Sequence, residues 1–325
     1  MYPWLTTAWR QWYDKLLAGR LAHGWLITGP SGLGQALLAQ QMATGHLCAH
    51  PATTGPCGLC HACQLLARGH HPDLLALGAE NERALGIDAI RELITKLNAT
   101  PQLGEGKVAI IHHAERMTEA AANALLKTLE EPAGRSLILL LSEYPDRLLP
   151  TIRSRCQRLA LHAPALPDAL HWLQAQPGGE TAAPIHLVLN QGAPLRALDY
   201  LTSGLDRQRQ TLFQALSSYL QSRQQLPALL AAFEPVMAQA VDWLSLLLLD
   251  ALKCQAGASS TDYRMSDAQM LIQRLAALPT ARLLALHQGL RQLQSTEEAF
   301  ATAMPSLHLL AWCRLFYFEE NHAVS

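Results

Sequence analysis

Short apolar runs alternate with amphipathic stretches through the first half of the chain. Residues 25–28, 74–77, 108–111, 137–141 and 159–161 are short β-like runs of three to five residues, hydrophobic throughout except for Thr28, the pattern of strands covered on both faces. Between them, residues 87–97 place Ile90, Leu93, Ile94 and Leu97 on one helical face, with Asp88 near the start. A second helix is predicted over 118–131, where Ala122, Leu125, Leu126 and Leu129 form the stripe and Pro132 stops it. This alternation predicts a parallel sheet with helices on both of its faces.

After residue 162 the strand-like runs stop. Prolines and glycines punctuate short helical stretches up to about residue 202, with a loop at 176–184. From Asp206 onward almost everything has helical periodicity: Leu212, Leu216, Tyr219 and Leu220 share one face, and Leu283, Leu286, Leu290 and Leu293 another. The expected fold class is therefore α/β followed by all-α, in three domains: 1–162, 163–205 and 206–325. The apolar run 243–249 is broken by Ser245 and closed by Asp250, far short of the roughly 20 residues of a membrane span, so it is expected to be a buried helix.

Composition narrows the function. Half of the 325 residues are hydrophobic and 16% are charged, which excludes wholesale disorder. The 25 basic and 26 acidic residues are evenly spread, sixteen of each up to residue 205 and nine against ten after it. No half has the basic excess of a protein that coats nucleic acid, so any such contact is local or made through partners. Residues 1–20 carry three tryptophans and scattered charge instead of an apolar stretch with a cleavage site, and a cytoplasmic location is expected. In that reducing setting, clustered cysteines point to metal before disulfides.

The first predicted strand runs into Gly29-Pro30-Ser31-Gly32-Leu33-Gly34, followed by Gln35 and Ala36. The glycine spacing is that of a phosphate-binding loop, in which backbone N–H groups and a helix N-terminus hold nucleotide phosphates; an ordinary strand-to-helix turn is the alternative. Gln35 stands where the motif needs a lysine, and Ala36 where it needs a hydroxyl for Mg²⁺. The third strand ends in His112-His113, where hydrolysis would need carboxylates, and neutral imidazole is a poor ligand for Mg²⁺. Glu115 is displaced by two positions. These separate losses agree in direction and predict a loop without ATP hydrolysis and without stable nucleotide binding. His70 and His71, ahead of Pro72-Asp73, are expected to be solvated or capping groups.

Cys57-Gly58-Leu59-Cys60-His61-Ala62-Cys63 places three thiols at two-residue spacings, and Cys48 lies nine positions earlier. Cys48, Cys57, Cys60 and Cys63 would complete a tetrahedral structural Zn²⁺ shell. An iron–sulfur cluster of the bacterial pattern wants a further cysteine where Ala67 stands, and free thiols are the third alternative. His50 and His61 are substitutes should one thiol not be a ligand. Cys156, Cys254 and Cys313 are isolated and are expected to be buried as small hydrophobes. Core packing is the expectation for Trp4, Trp9 and Trp12.

Taken together, His23-Gly24-Trp25-Leu26-Ile27 before the loop, the inserted four-cysteine module, Asn123-Ala124-Leu125-Leu126-Lys127-Thr128-Leu129-Glu130-Glu131-Pro132 and Ser154-Arg155-Cys156 resemble bacterial clamp-loader subunits of the AAA+ class. The resemblance spans all three regions. It implies an AAA+ P-loop domain with a zinc-module insertion, a small helical lid and a C-terminal helical collar. It also implies a non-hydrolysing subunit of a replicative DNA polymerase holoenzyme, itself a DNA-directed nucleotidyltransferase. Ser154-Arg155-Cys156 matches the segment whose arginine reaches into the ATP site of an adjacent subunit, so Arg155 would act in trans. The bland alternative is a solvated basic segment with Arg153 and Arg158. In the Gln191–Leu198 segment, Leu195 falls where active relatives offer an arginine to nucleotide, with Arg196 one residue off. The implied partners are the gamma or tau and delta subunits of the loader, and through them the sliding clamp and primed DNA. Lys127 and Glu131 have the spacing of a surface helix pair. Two other functions compete: an autonomous P-loop ATPase of DNA metabolism, and a zinc-dependent module that binds nucleic acid.

Overall fold

A computed structural model describes residues 1–79, 84–299 and 305–317. In chain order its first part contains α1 (Thr6–Leu17), β1 (Gly24–Thr28), α2 (Gln35–Leu47), α3 (His61–Ala67), β2 (Leu74–Leu77), α4 (Ile87–Asn98), β3 (Gly106–Ile111), α5 (Glu119–Glu130), β4 (Arg135–Ser142), α6 (Pro150–Arg153) and β5 (Gln157–Ala160). The strands form one sheet in the order β2-β3-β4-β1-β5, and every pairing is parallel. β1 lies between β4 and β5, with Leu26 opposite Leu140 on one side and Arg158 on the other.

The two faces of the sheet follow from the alternation of side chains along each strand. Trp25, Ile27, Val108, Ile110, Leu137, Leu139 and Leu141 pack with Trp12 of α1 and with Leu38 and Met42 of α2. The intervening Leu26, Ala109, Ile111, Ile138 and Leu140 pack with Ile90 and Leu93 of α4 and Leu125 and Leu129 of α5. Helices thus cover both faces, and the central strands need an unbroken apolar sequence. α5 is capped by the Thr118 side chain, which accepts from the Ala121 N–H, and ends two residues before Pro132.

The strand bounds differ from expectation where polar residues lie in the sheet. β3 begins at Gly106, and the buried Lys107 donates to the Lys96 carbonyl at 2.6 Å and lies 3.9 Å from the fully buried Asp73. A lysine does not look like a strand residue in sequence; its backbone joins the ladder because its ammonium finds partners inside. β5 starts two residues earlier than expected and, as an edge strand, keeps Arg158 and Ala160 outward.

The second part contains α7 (Leu166–Gln174), α8 (Pro184–Leu189), α9 (Pro194–Thr202), α10 (Leu205–Gln221), α11 (Leu226–Phe233), α12 (Met237–Gln255), α13 (Gln269–Ala276), α14 (Thr280–Ala299) and α15 (Pro305–Arg314). The chain divides into two compact units: Met1–Ala165 with Ala193–Arg196, and Leu166–Gly192 with the chain from Ala197 onward. Within the second unit, Ala169, Leu173, Ala182, Leu187 and Ala197 make a small cluster of their own. A larger core joins Leu212, Leu216 and Tyr219 to Leu244, Leu247, Leu283, Leu286, Leu290 and Trp312. Leu293 lies outside the described side chains.

Residues 243–249 lie within α12, and Asp250 is fully buried there, accepting from Lys253 Nζ at 2.8 Å and from the Met265 N–H at 2.7 Å. Arg209, 1% exposed, is likewise satisfied, by Asp206, Asp267 and the Tyr200 hydroxyl. Among the described residues no single helix is long and apolar enough to cross a membrane.

Candidate functional site

The loop between β1 and α2 has the backbone of a phosphate loop, with Gly29, Gly32 and Gly34 at φ 154°, 82° and 88°. What holds that shape is protein. Gln35 Nε2 donates to the carbonyls of Gly29 at 2.8 Å and Pro30 at 2.7 Å, turning the side chain back onto the loop. Trp4 Nε1 donates to the Leu33 carbonyl at 2.9 Å, and the Leu195 N–H donates to the Gly32 carbonyl at 3.2 Å. A Cβ at Gly32 would lie 2.5 Å from Arg196 Cβ, so this glycine is required by the close approach of residue 196. Tyr2 stacks on Trp4 with ring centroids 5.1 Å apart. Trp9 and Trp12 are buried in the core and the half-buried Trp4 packs against it, as expected; Trp4 also fastens the loop.

A cavity of about 230 Å³ opens at the loop, lined by Ser31, Gly32, Gly34, Gln35, Ala36, His112, His113, Leu141, Ser142, Glu143 and Leu195. Among the described residues its wall holds the carboxylate of Glu143 and neither lysine nor arginine. Burial, with His113 beside it, pushes His112 below the usual histidine value, so it is neutral near pH 7. His113 adopts a left-handed backbone at φ 49°, and its Nδ1 is 3.7 Å from the nearly buried Glu115. Glu115 is thereby turned to its neighbour and does not line the cavity. Leu195 does line it, offering methyl groups and no cation.

The four clustered cysteines meet. Each Sγ of Cys48, Cys57, Cys60 and Cys63 lies within 4.8 Å of the others, close enough to hold a metal ion and compatible with zinc. Cys48 follows the last residue of α2 and Cys63 is on α3, with Gly58 at φ 70° turning the chain between Cys57 and Cys60. The Cys60 N–H donates to Cys57 Sγ and the Cys57 N–H to Cys48 Sγ, each at 3.3 Å. Those amides orient the sulfurs, and the Cys60 amide foremost holds the Cys57 thiol down to about 6. Cys156 and Cys313 are buried, and Cys254 is half-buried. His71 is buried, and its Nδ1 accepts from the Asp73 N–H at 3.1 Å, a capping role.

Arg155 stands between α6 and β5, in a segment anchored by the buried Cys156. Its Nε and Nη2 donate to the carboxylate of Glu130, the last residue of α5, and its Nη1 donates to the Thr151 carbonyl at 3.1 Å. About a third of the side chain is exposed. Arg153 pairs elsewhere, with Asp146 at 2.9 Å, and Arg158 is within 3.4 Å of Thr28 Oγ1. Glu130 has its partner 25 residues away, beyond the reach of helix spacing, and among the described residues no ion pair joins Lys127 to Glu131.

A parallel sheet of this order with a glycine loop after β1, followed in the chain by a helical region, has the AAA+ P-loop architecture, and its loop lacks the motif's lysine and hydroxyl. Residues 4–165 match the family model described as DNA polymerase III, delta subunit, and residues 203–316 the one described as DNA polymerase III, delta subunit, C terminal. The DNA polymerase III subunit delta' of Pseudomonas aeruginosa is 36% identical over 299 residues, 90% of this chain and 90% of the relative. That of Escherichia coli is 39% identical over 261 residues, 79% of this chain and 78% of the relative. A gamma subunit-related protein of Thermotoga maritima is similar in structure at a TM-score of 0.49 and 22% identity, over 96% of this chain and 98% of that one. The chain belongs to the DNA polymerase III delta' family, and its role is that of a clamp-loader subunit.

Proposed function

We propose that the chain neither binds nor hydrolyses ATP at its own loop and instead completes the ATP site of a neighbouring subunit with Arg155. The observation that carries this is the contrast in charge between the two places. The cavity at the loop offers a carboxylate and a neutral imidazole to a polyanion, while a permanently charged guanidinium stands outside it, exposed and oriented. A guanidinium supplied from outside stabilises charge on the transferring phosphoryl group. In this reading Gly29, Gly32, Gly34, Gln35 and Ala36 serve as a structural turn. Cys48, Cys57, Cys60 and Cys63 hold a closed zinc site with a folding role and no open coordination position.

The partners are the ATP-binding gamma or tau subunits and delta, with the sliding clamp and primed DNA met through the assembly in the cytoplasm. The balanced charge of the chain fits such indirect contact with DNA. Residues 1–162 and 163–205 act as the AAA+ pair and 206–325 as the collar; the small cluster around Leu173 fits a lid of its own, although Ile185 and Tyr200 join the larger helical core.

The test is reconstitution with gamma or tau, delta, the sliding clamp and primed DNA. Arg155→Ala is expected to assemble normally and to lower DNA-dependent ATP hydrolysis. Full activity in that complex would sink the trans role, and turnover by the purified chain alone at saturating ATP would sink the silent loop.

A further inference from the structure

We propose that Glu130 is a positioning residue for Arg155, setting the guanidinium in the orientation it needs for a phosphoryl oxygen of the neighbouring subunit; the inference rests on the reading of Arg155 given above. Arg155 has four rotatable side-chain bonds and about a third of its surface in water, conditions under which a free arginine samples many rotamers. Here it does not hang free. Both Nε and Nη2 donate to Glu130, and Nη1 donates to the Thr151 carbonyl and approaches Ser154 Oγ at 3.5 Å.

Each partner is itself fixed. Glu130 ends α5, whose preceding residue Leu129 is buried and has its carbonyl held by Nε2 of His23, the residue before β1. Thr151 lies in α6, and its carbonyl also accepts from Ser154 Oγ at 3.1 Å, while the Arg155 N–H donates to the Ile152 carbonyl at 3.1 Å. Cys156, next to Arg155, is buried against the same core as Leu129. The Glu130 carboxylate takes the Nε side of the guanidinium, and five N–H groups are available in all, so donors remain for an oxygen arriving from outside. A carboxylate on one edge and an open remainder give a fixed fork with a free prong. The last turn of α5 thereby acquires a function: it carries the residue that aims the arginine.

The reconstituted clamp-loader complex, with sliding clamp and primed DNA, supplies the test. Glu130→Ala is expected to lower kcat for ATP hydrolysis by about threefold to tenfold, leave KM for ATP within about twofold, and leave assembly and thermal unfolding of the chain unchanged. Glu130→Gln retains an oxygen acceptor for Nε and should fall between. The double variant Glu130→Ala with Arg155→Ala should be no slower than Arg155→Ala alone, because the two residues act as one unit. If Arg155→Ala slows hydrolysis but Glu130→Ala does not, or if the two losses multiply, or if Glu130→Ala is faster than the parent, the positioning role is wrong while the trans arginine stands. Should Arg155→Ala itself be without effect, both fall together.

Discussion

The phosphate loop and the cysteine module sit at opposite ends of α2, and both are short motifs easily read in sequence, yet they are retained for different reasons. In the cysteine module the side chains are the function: four sulfurs converge to within 4.8 Å, and Gly58 only eases the turn, since a Cβ there would meet nothing within 4 Å. In the loop the side chains that do chemistry are gone, and the backbone shape survives because Gln35, Trp4 and residues 195–196 hold it. A glycine pattern is therefore evidence of a backbone geometry, and of phosphate only when the lysine and hydroxyl accompany it.

The largest effect expected from breaking this contrast is at the thiols. Cys60→Ser should reduce bound zinc from about one per chain towards none and expose residues 49–60 to protease, with a loss of roughly 3 kcal/mol or more in stability. Elemental analysis beside limited proteolysis reads both, and a variant that still carries stoichiometric zinc would remove Cys60 from the ligand set.

The two turn glycines give the next effect. Gly32→Ala combines φ 82° with a Cβ 2.5 Å from that of Arg196 and should cost about 2–4 kcal/mol. Gly58→Ala has φ 70° and open space, so its cost should be near 1 kcal/mol. Equal midpoints in denaturant would refute the packing account of the loop.

Smaller still is the response to restoring the lost chemistry. Gln35→Lys with Ala36→Thr should alter stability by no more than about 1 kcal/mol and create no ATP turnover while Glu143 and the two histidines line the cavity. Radiolabelled phosphate release above that of the parent would show that the other losses are not disabling.

The smallest effect concerns acid. Burial lowers both His112 and His71, so the unfolded chain takes up protons below about pH 6.5 that the folded chain refuses. Stability should therefore be lost as pH falls from about 6.5 towards the folded values, and be unaffected by these groups above it. His112→Gln should make that decline shallower than in the parent, which shares the same four-cysteine cluster. An identical slope in the two proteins would mean that His112 protonates freely when folded.

Much of this was legible in the chain itself, for physical reasons that differ by element. The central strands are covered on both faces and stand out as uninterrupted apolar runs; β3 reads short in sequence because the buried Lys107 is satisfied by partners distant in the chain, Lys96 and Asp73. The cysteine ligand set needs close spacing, so it is written locally. The buried Arg209 and its carboxylates could not be anticipated, since Asp267 lies 58 residues away and looks like any surface acid. The fastening of the loop by Trp4 was hidden in the same way, 29 residues from its acceptor.

The sequence by itself determined the sheet-then-helix order, the family, the four thiols and the absence of lysine and hydroxyl at the loop, because each is carried by residues adjacent in the chain or by the kind of side chain present. Only the tertiary structure decided that Gln35 turns inward, that Gly32 is demanded by Arg196 and that Arg155 leans on Glu130. Those depend on which distant residues the fold brings within about 3 Å, the range at which a hydrogen bond or a steric clash acts.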